Sequence, residues 1–341
     1  MVNIKLTDAT FFRKLWFKTK IKLMNTNFSL PLTNGFKRMK KALFQPFEIT
    51  KWINIGFTAF LAGLTVCTGG GGGGNSGYKY NNTNWDDFFD FPETACEWLI
   101  SHPLWFSLII VGLVILVSIA IVLNWLNSRG KFMFLYNVVH DKDEVVHPWN
   151  EFRKQGNSLF WWKFFYGWLV FAVIILFLIY SFGVFKNIHN ELIPKVATLG
   201  FVTGIILIFV GLLILNGYIM LFLNDFVVPI MFKHRLSAMR AWSKFFSLAL
   251  NNMGSFTIYG LFVFVLSLAV GIGVIVLSIM TCCIGLFLLI IPFVGSVILL
   301  PISYTFRAFS VEYLASFGDE FNVFAAENDN RNEKPATEII D

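Results

Sequence analysis

Six apolar stretches between Trp52 and Tyr304 constrain the fold of this chain more than any other feature. Five of them run for about twenty residues or more with almost no charge, which is long enough for a helix to cross a bilayer. The whole chain is 56% hydrophobic and only 14% charged, which lies outside the range of ordinary soluble domains. We therefore predict an all-α, polytopic membrane protein and exclude a soluble fold.

The first of the six stretches is the weakest span. It would rise only about 24 Å as a helix, short of the roughly 30 Å thickness of the hydrocarbon core. It could therefore cross the membrane or form a tilted or re-entrant segment instead. The six predicted spans are residues 52–67, 103–126, 159–185, 196–223, 256–280 and 285–304.

The distribution of basic residues favours six spans and sets their orientation. With six spans, all of the 27 Lys and Arg except Lys79, Lys186 and Lys195 lie on the side that holds both termini. Because basic flanks stay in the cytoplasm, we predict a multi-pass protein of the inner membrane with both termini cytoplasmic. The chain then divides into a basic cytoplasmic or interfacial segment (1–50), a six-span domain (51–306) and a cytoplasmic tail with a disordered end (307–341).

The cytoplasmic segments carry the composition of membrane-surface elements. Residues 9–24 mix aromatic and basic residues, which suits an interfacial amphipathic helix, although a loose basic tail would carry the same charge. The inner loops 127–158 and 224–255 contain Trp149 and Trp242, candidate contacts for lipid or a partner. Either these loops belong to an internal repeat of two spans, or each acquired an interfacial Trp independently. We expect membrane lipids to be partners of the chain, because its net charge of +6 attracts anionic headgroups. We do not expect nucleic acid as a partner.

All four cysteines fall on the outer side of this topology, which is the oxidising side of a bacterial inner membrane. Disulfides between them are the favoured hypothesis, and the sequence leaves their connectivity open. Free thiols and a four-thiolate metal site are the alternatives. The residues concerned are Cys67, Cys96, Cys282 and Cys283.

An acidic and aromatic segment follows a run of glycines in the outer loop 68–102. The glycines lack the Lys-Ser/Thr of a phosphate-binding loop, so we interpret them as a linker. The segment after them could dock a partner or a cationic headgroup, or it could anchor the loop at the interface with its acids in water. Its candidate contact residues are Trp85, Asp86, Asp87, Phe88 and Asp90.

No residue pattern predicts a catalytic site, a metal site or a cofactor. The titratable residues from His140 to His147 match no known ligand spacing, so a solvated turn is the better interpretation. The centres of the spans hold no Asp, Glu, His or Arg, which proton relays usually place there. We expect Asp225 to cap or break a helix at the inner end of the fourth span, and Arg307 to extend towards water from the inner edge. An enzyme is not expected.

Four strings taken together resemble a family of prokaryotic polytopic membrane proteins of unknown function. The strings are QPFEITKW, SRGKFMFLYNVV, DFVVPIM and RAFSVEYLASFG. The resemblance covers about residues 40–325. It implies six spans and a prokaryotic origin, and it implies no activity, substrate or catalytic residue.

Two functions fit these observations. The first is a scaffold or subunit of a membrane assembly, which the charge-free spans and the lack of a catalytic constellation favour. The second is a transporter or channel for a lipid-like or neutral solute, which the repeat hypothesis favours. A water-accessible cavity lined by Asn54, Asn124 or Asn216 would indicate the transporter.

Overall fold

The computed structural model describes residues 28–67, 85–189, 195–281 and 284–324, and all regular elements in these ranges are helices. The predicted all-α class is therefore confirmed. One π-helical segment (Leu223–Val227) and one short 3₁₀ turn (Asp319–Phe321) accompany the α-helices of these ranges. The α-helices are α1 (Ser29–Phe44), α2 (Ile49–Cys67), α3 (Trp85–Ser101), α4 (Pro103–His140), α5 (Val146–Glu151), α6 (Arg153–His189), α7 (Lys195–Phe222), α8 (Val228–His234), α9 (Ala238–Asn251), α10 (Met253–Met280), α11 (Ile284–Ile290), α12 (Pro292–Ile298) and α13 (Leu300–Ala315).

Several helices are long and apolar enough to cross a membrane, as a multi-pass membrane protein requires. Four helical stretches meet this criterion in the described ranges: Pro103–His140, Arg153–Ile188, Thr198–His234 and Met253–Met280. The pair α12 and α13 would make a fifth span, but its two helices are bent by 64°. In α2 the apolar part, Ile49–Leu64, is shorter than a full span. Six complete spans are therefore not confirmed.

The chain divides into two compact units. The core unit comprises Met1–Gly63, Asn127–Leu159 and Tyr218–Asp341. The helix unit comprises Leu64–Leu126 and Phe160–Gly217. We compared the most apolar 18-residue segment of each long helix. Within the chain, only 0% of this segment is buried in α4, 6% in α6 and 6% in the stretch Thr198–His234.

In the core unit, α1 packs along α13. At Gly35 the two backbones approach so closely that an added Cβ would lie 2.9 Å from the Phe309 amide nitrogen. Arg38 of α1 and Glu312 of α13 form an ion pair of 2.6 Å at the edge of this contact. Because the buried residues of α1 recur every three or four positions, they share one face of the helix. They are Pro31, Gly35, Met39, Ala42 and Leu43.

An aromatic cluster forms a second part of the core unit, around Phe226 of the π-helical segment. The Phe226 ring centroid lies 5.5 Å from that of Phe245, 5.0 Å from that of Phe256 and 4.8 Å from that of Tyr259. These residues come from α9 and α10, so the aromatic contacts fix both helices against the π-helical segment. Each such ring buries a large apolar area, so this cluster contributes strongly to the stability of the core unit.

The two segments that the sequence suggested as a repeat share a backbone pattern. Helix α4 ends at His140, and the next residue, Asp141, has a φ of 51°. Helix α8 ends at His234, and the next residue, Arg235, has a φ of 53°. A helix follows each left-handed residue, of 6 residues in α5 and 14 residues in α9, and a single non-helical residue then precedes a long apolar helix. This order of elements supports the repeat hypothesis.

Candidate functional site

Charged and polar side chains from four parts of the sequence meet inside the core unit. Helix α4 supplies one basic residue, the π-helical segment an amide and a carboxylate, α10 a phenol and α13 a guanidinium. We call this group the charge cluster. Its members are Lys131, Asn224, Asp225, Tyr259 and Arg307.

Hydrogen bonds connect the members of the charge cluster. The Tyr259 hydroxyl donates to Asp225 Oδ2 over 2.9 Å. Arg307 Nη1 donates to the Asn224 carbonyl oxygen over 2.6 Å, and Lys131 Nζ donates to Asn224 Oδ1. The opposite charges of Arg307 and Lys131 also act on the Asp225 carboxylate. Asp225 thus has a phenol donor and two cations around it.

The π-helical geometry at Asp225 has a local cause in the sequence. Pro229 has no amide hydrogen, so the carbonyl of Asp225, four residues earlier, loses its α-helical donor. The Val228 amide bonds instead to the carbonyl of Leu223, five residues back. Such single-turn π bulges are frequent at functional sites, because they place a side chain where a regular helix would not.

The charge cluster can hold helices together, and its composition limits what else it can do. A charge placed in an apolar interior is tolerated only when it is paired, and removing one partner is strongly destabilising. The cluster contains a single carboxylate, so it lacks the acid pair of many hydrolases. In the ranges that the structure describes, no group of three or more His, Cys, Asp or Glu could hold a metal ion.

A seam of polar contacts joins α2 to the second half of α4, also within the core unit. The Asn127 amide donates to the Ala62 carbonyl oxygen over 2.6 Å. An added Cβ on Gly130 would lie 2.6 Å from the Leu61 carbonyl carbon, so the two backbones touch there. Beyond α4, the Asn54 amide donates to Asp143 Oδ2 over 3.1 Å. Asn54 is therefore held by a neighbouring loop.

The titratable residues from His140 to His147 form a surface turn. Lys142 and Glu144 form an ion pair of 2.9 Å. Their hydrogen bond lowers the pKa of Glu144 and raises the pKa of Lys142. His147 Nδ1 lies 3.5 Å from Glu144 Oε2. The Tyr136 ring lies between the two histidines, with its centroid 4.3 Å from that of His140 and 5.5 Å from that of His147.

Both Trp residues that were predicted as contacts interact within the core unit. Trp242 is only 6% exposed and packs against Phe245 and Phe246. The structure therefore places it among the aromatic side chains of the core unit, and its contact with lipid or a partner stays a prediction. Trp149 remains half-buried, and the Arg129 guanidinium lies 4.7 Å above its ring. Trp149 thus keeps one accessible side.

The predicted residues of the outer loop fall largely outside the described side chains. Cys96 is exposed and has a free thiol. The side chains of Cys67, Cys282 and Cys283 lie outside the description, so their pairing stays a prediction. The backbone of α3 begins at Trp85. The acidic and aromatic side chains predicted there, Trp85, Asp86, Asp87, Phe88 and Asp90, also lie outside the description.

Sequence reasoning missed the charge cluster as a unit. It treated Asp225 as a helix cap or breaker and Arg307 as a residue that extends to water, and it did not single out Lys131 or Tyr259. The proposed repeat contained one signal that could have pointed to the charge cluster. Lys131 stands as far before His140 as Asp225 stands before His234, so the two proposed repeats carry opposite charges at equivalent positions.

Comparison with known proteins agrees with the resemblance drawn from the sequence strings. No curated protein and no solved structure matches the chain. One family model matches residues 31–318, a range that includes every residue of the charge cluster. The chain therefore belongs to a family of unknown function, DUF7544.

Proposed function

We propose that this protein is a non-catalytic subunit or scaffold of a membrane assembly, whose apolar helices pack against helices of partner proteins. The observation that carries the proposal is the exposure of the helix unit. Within the chain, Leu116 of α4 is 68% exposed and Leu176 of α6 is 66% exposed. A protein that acted alone as a helical bundle would bury one face of each span against its own neighbours.

Small residues on the same helices support the proposal. Gly200 and Gly204 form a GxxxG pair in α7, a spacing that lets two membrane helices approach closely. Among the described residues, none lies within 4 Å of a Cβ added to either glycine. Gly112 of α4 has equally open surroundings. These positions therefore leave room for a helix from another chain.

The core unit supplies what a scaffold needs, which is a fixed arrangement of its own elements. The charge cluster ties α4, the π-helical segment, α10 and α13 to one another. The ion pair of Arg38 with Glu312 and the close contact at Gly35 attach α1 to the same body. A core unit with such internally fixed elements would present a constant surface to partners.

The proposal includes the orientation that the basic residues favour. Both termini are cytoplasmic and the membrane is the inner one of a prokaryotic cell. Helices α1 and α9 lie at the cytoplasmic interface, since each buries one face in the core unit and exposes basic residues together with large apolar ones. Lys40 and Phe36 of α1, and Arg240 and Phe246 of α9, are the exposed examples.

Transport of a lipid-like or neutral solute is less well supported. The amides that would line a solute pathway already take part in interactions. Asn54 donates to Asp143, and Asn216 accepts a hydrogen bond of 2.8 Å from the Tyr166 hydroxyl. Asn124 is also engaged in an interaction. Amides satisfied in this way stabilise helix contacts more readily than they coordinate a moving solute.

Photocrosslinking in native membranes tests the subunit proposal. A photoreactive amino acid is placed at Leu116 or Leu176, and crosslinked products are identified by mass spectrometry. We expect one protein to be captured in fixed proportion from the helix-unit positions. The control places the same group at Val146, an exposed residue of the core unit at the surface turn.

Three outcomes are distinguishable. Capture of a defined protein at Leu116 and not at Val146 supports the subunit proposal. Capture of lipid alone at both helix-unit positions would overturn it. Capture of a second copy of this chain would replace partner subunits by a homo-oligomer, and flux assays in liposomes would then address transport.

A further inference from the structure

An apolar groove opens on the core unit where α1 crosses α10 and α13. Its volume is about 240 Å³. Its walls come from all three helices, with Leu32 and Phe36 on α1, Leu266 and Val270 on α10, and Ile302 and Phe306 on α13. The groove begins just after the 64° bend between α12 and α13, where the chain turns before Pro301.

The lining of the groove suits a hydrocarbon chain better than water. Thr305 is the one polar residue among those that form it. Its hydroxyl already donates to the Pro301 carbonyl oxygen over 2.7 Å. Water enters a cavity only where several polar groups offer it hydrogen bonds, so this groove favours an apolar occupant. Because α10 is long and apolar enough to span a membrane, lipid acyl chains would surround it and could enter the groove.

Basic residues flank the groove on α1. Lys37, Lys40 and Lys41 are exposed, and α1 contains no Asp or Glu. Lys40 follows Phe36 by one helical turn, so the two side chains lie on the same side of the helix. In the part of the chain that the structure describes, none of the three lysines forms an ion pair, whereas Arg38 is paired with Glu312.

We propose that this groove is a binding site for one anionic phospholipid. An acyl chain occupies the groove between α1, α10 and α13, and the phosphate headgroup binds Lys40 with Lys37 and Lys41 around it. The apolar lining selects a lipid over a free phosphate, and the lysines select an anionic headgroup over a zwitterionic one. The site is independent of the subunit proposal, because it lies wholly in the core unit.

Native mass spectrometry of the full-length protein tests the site. The protein is released from micelles after equilibration with phosphatidylglycerol or phosphatidylcholine of the same chain length. We expect one phosphatidylglycerol to be retained in preference to phosphatidylcholine. The triple variant Lys37→Gln, Lys40→Gln, Lys41→Gln should lose that preference, with a decrease in occupancy of roughly fivefold per lysine.

A matched variant and a groove variant separate the two parts of the site. Arg153→Gln, Lys154→Gln, Arg240→Gln removes three exposed charges elsewhere on the core unit and should retain the lipid. Ile302→Phe fills the groove and should reduce retention of both lipids. An equal loss of phosphatidylglycerol in the two triple variants would overturn the proposal, because retention would then depend only on the net charge of the protein.

The identity of the occupant is tested separately at Phe36, which is 54% exposed at the mouth of the groove. A photoreactive residue at this position should form an adduct with phosphatidylglycerol in vesicles of equal phosphatidylglycerol and phosphatidylcholine. A crosslink to residues 1–27 of the same chain would show that the N-terminal segment covers the groove, and it would overturn the lipid proposal. Thermal unfolding of each variant in detergent verifies that it remains folded.

Discussion

The core unit and the helix unit are built from the same kinds of helix, yet they hold together in different ways. The core unit contains buried aromatic rings, ion pairs and the charge cluster. In the helix unit, the most apolar segments of the long helices are almost wholly exposed within the chain. Lipid solvates apolar side chains as well as protein does, so apolar surface alone brings no two membrane helices together. Polar groups and close backbone contacts have to do so.

A single helix displays both situations. On α4, Gly130 of the core unit touches the backbone of α2, whereas Gly112 of the helix unit has no atom of the described chain within 4 Å of an added Cβ. The residue type and the helix are the same, and only the surroundings differ. Matched substitutions in the two units therefore measure how much of the stability resides in each.

The largest difference is expected when a member of the charge cluster is removed. Arg307→Met removes the donor to the Asn224 carbonyl oxygen and one of the cations that act on Asp225, and leaving such groups unsatisfied costs about 1–3 kcal/mol, more where a charge is involved. Lys186→Met removes an exposed charge of the helix unit and should change stability little. Thermal unfolding in a mild detergent measures both. The double variant Arg307→Met, Asp225→Asn should recover part of the loss, and equal melting of both single variants would contradict the contrast.

A smaller difference is expected from the two glycines of α4. Gly130→Ala places a methyl group against the Leu61 backbone, and overpacking of this kind costs about 1–3 kcal/mol. Gly112→Ala meets no atom and should be neutral or stabilising by up to about 1 kcal/mol, since Ala has the higher helix propensity. The same unfolding assay compares them. A loss at Gly112 as large as that at Gly130 would indicate a partner helix at Gly112.

A buried hydroxyl gives a finer comparison. The Tyr304 hydroxyl donates to the Val138 carbonyl oxygen over 3.3 Å, in the interior of the core unit. Tyr304→Phe removes this bond and leaves the ring in place, so we expect a loss of about 0.5–1.5 kcal/mol. Tyr180→Phe changes an exposed tyrosine of the helix unit and should have no effect on unfolding. A Tyr304→Phe protein that unfolds like the parent would show that the bond contributes nothing.

The smallest effect is expected at the surface turn of the core unit. Glu144→Gln breaks the ion pair with Lys142, which is worth only about 0.2–1 kcal/mol because both side chains are partly in water. The pKa of Glu144 is lowered in the folded protein, so its contribution is present above the ordinary value of 4.5 and is lost as the pH falls through the lowered pKa. Unfolding of parent and variant at neutral and acidic pH measures this. A difference that grows on acidification would have the wrong sign.

Particular residues show how far the sequence could predict the site. Arg307 and Asp225 were both noticed, each as a local feature of one helix end. Their meeting depends on the packing of α13 against the π-helical segment, which joins parts of the chain that lie 83 residues apart. Trp242 was expected at a membrane surface, because its neighbours in sequence are basic and apolar. The amphipathic face of α9 instead turns it into the aromatic cluster.

The sequence by itself determined the class of this protein, because long uncharged apolar stretches have one stable form in a bilayer, the helix, whose backbone groups bond within the segment. It also indicated the family, since all four quoted strings lie within the matched range. Only the tertiary structure decided which helices form a packed body and which stay exposed. That choice rests on the charge cluster, the polar seam and the glycine contacts, which arise from residues distant in the chain and leave no periodic pattern in it.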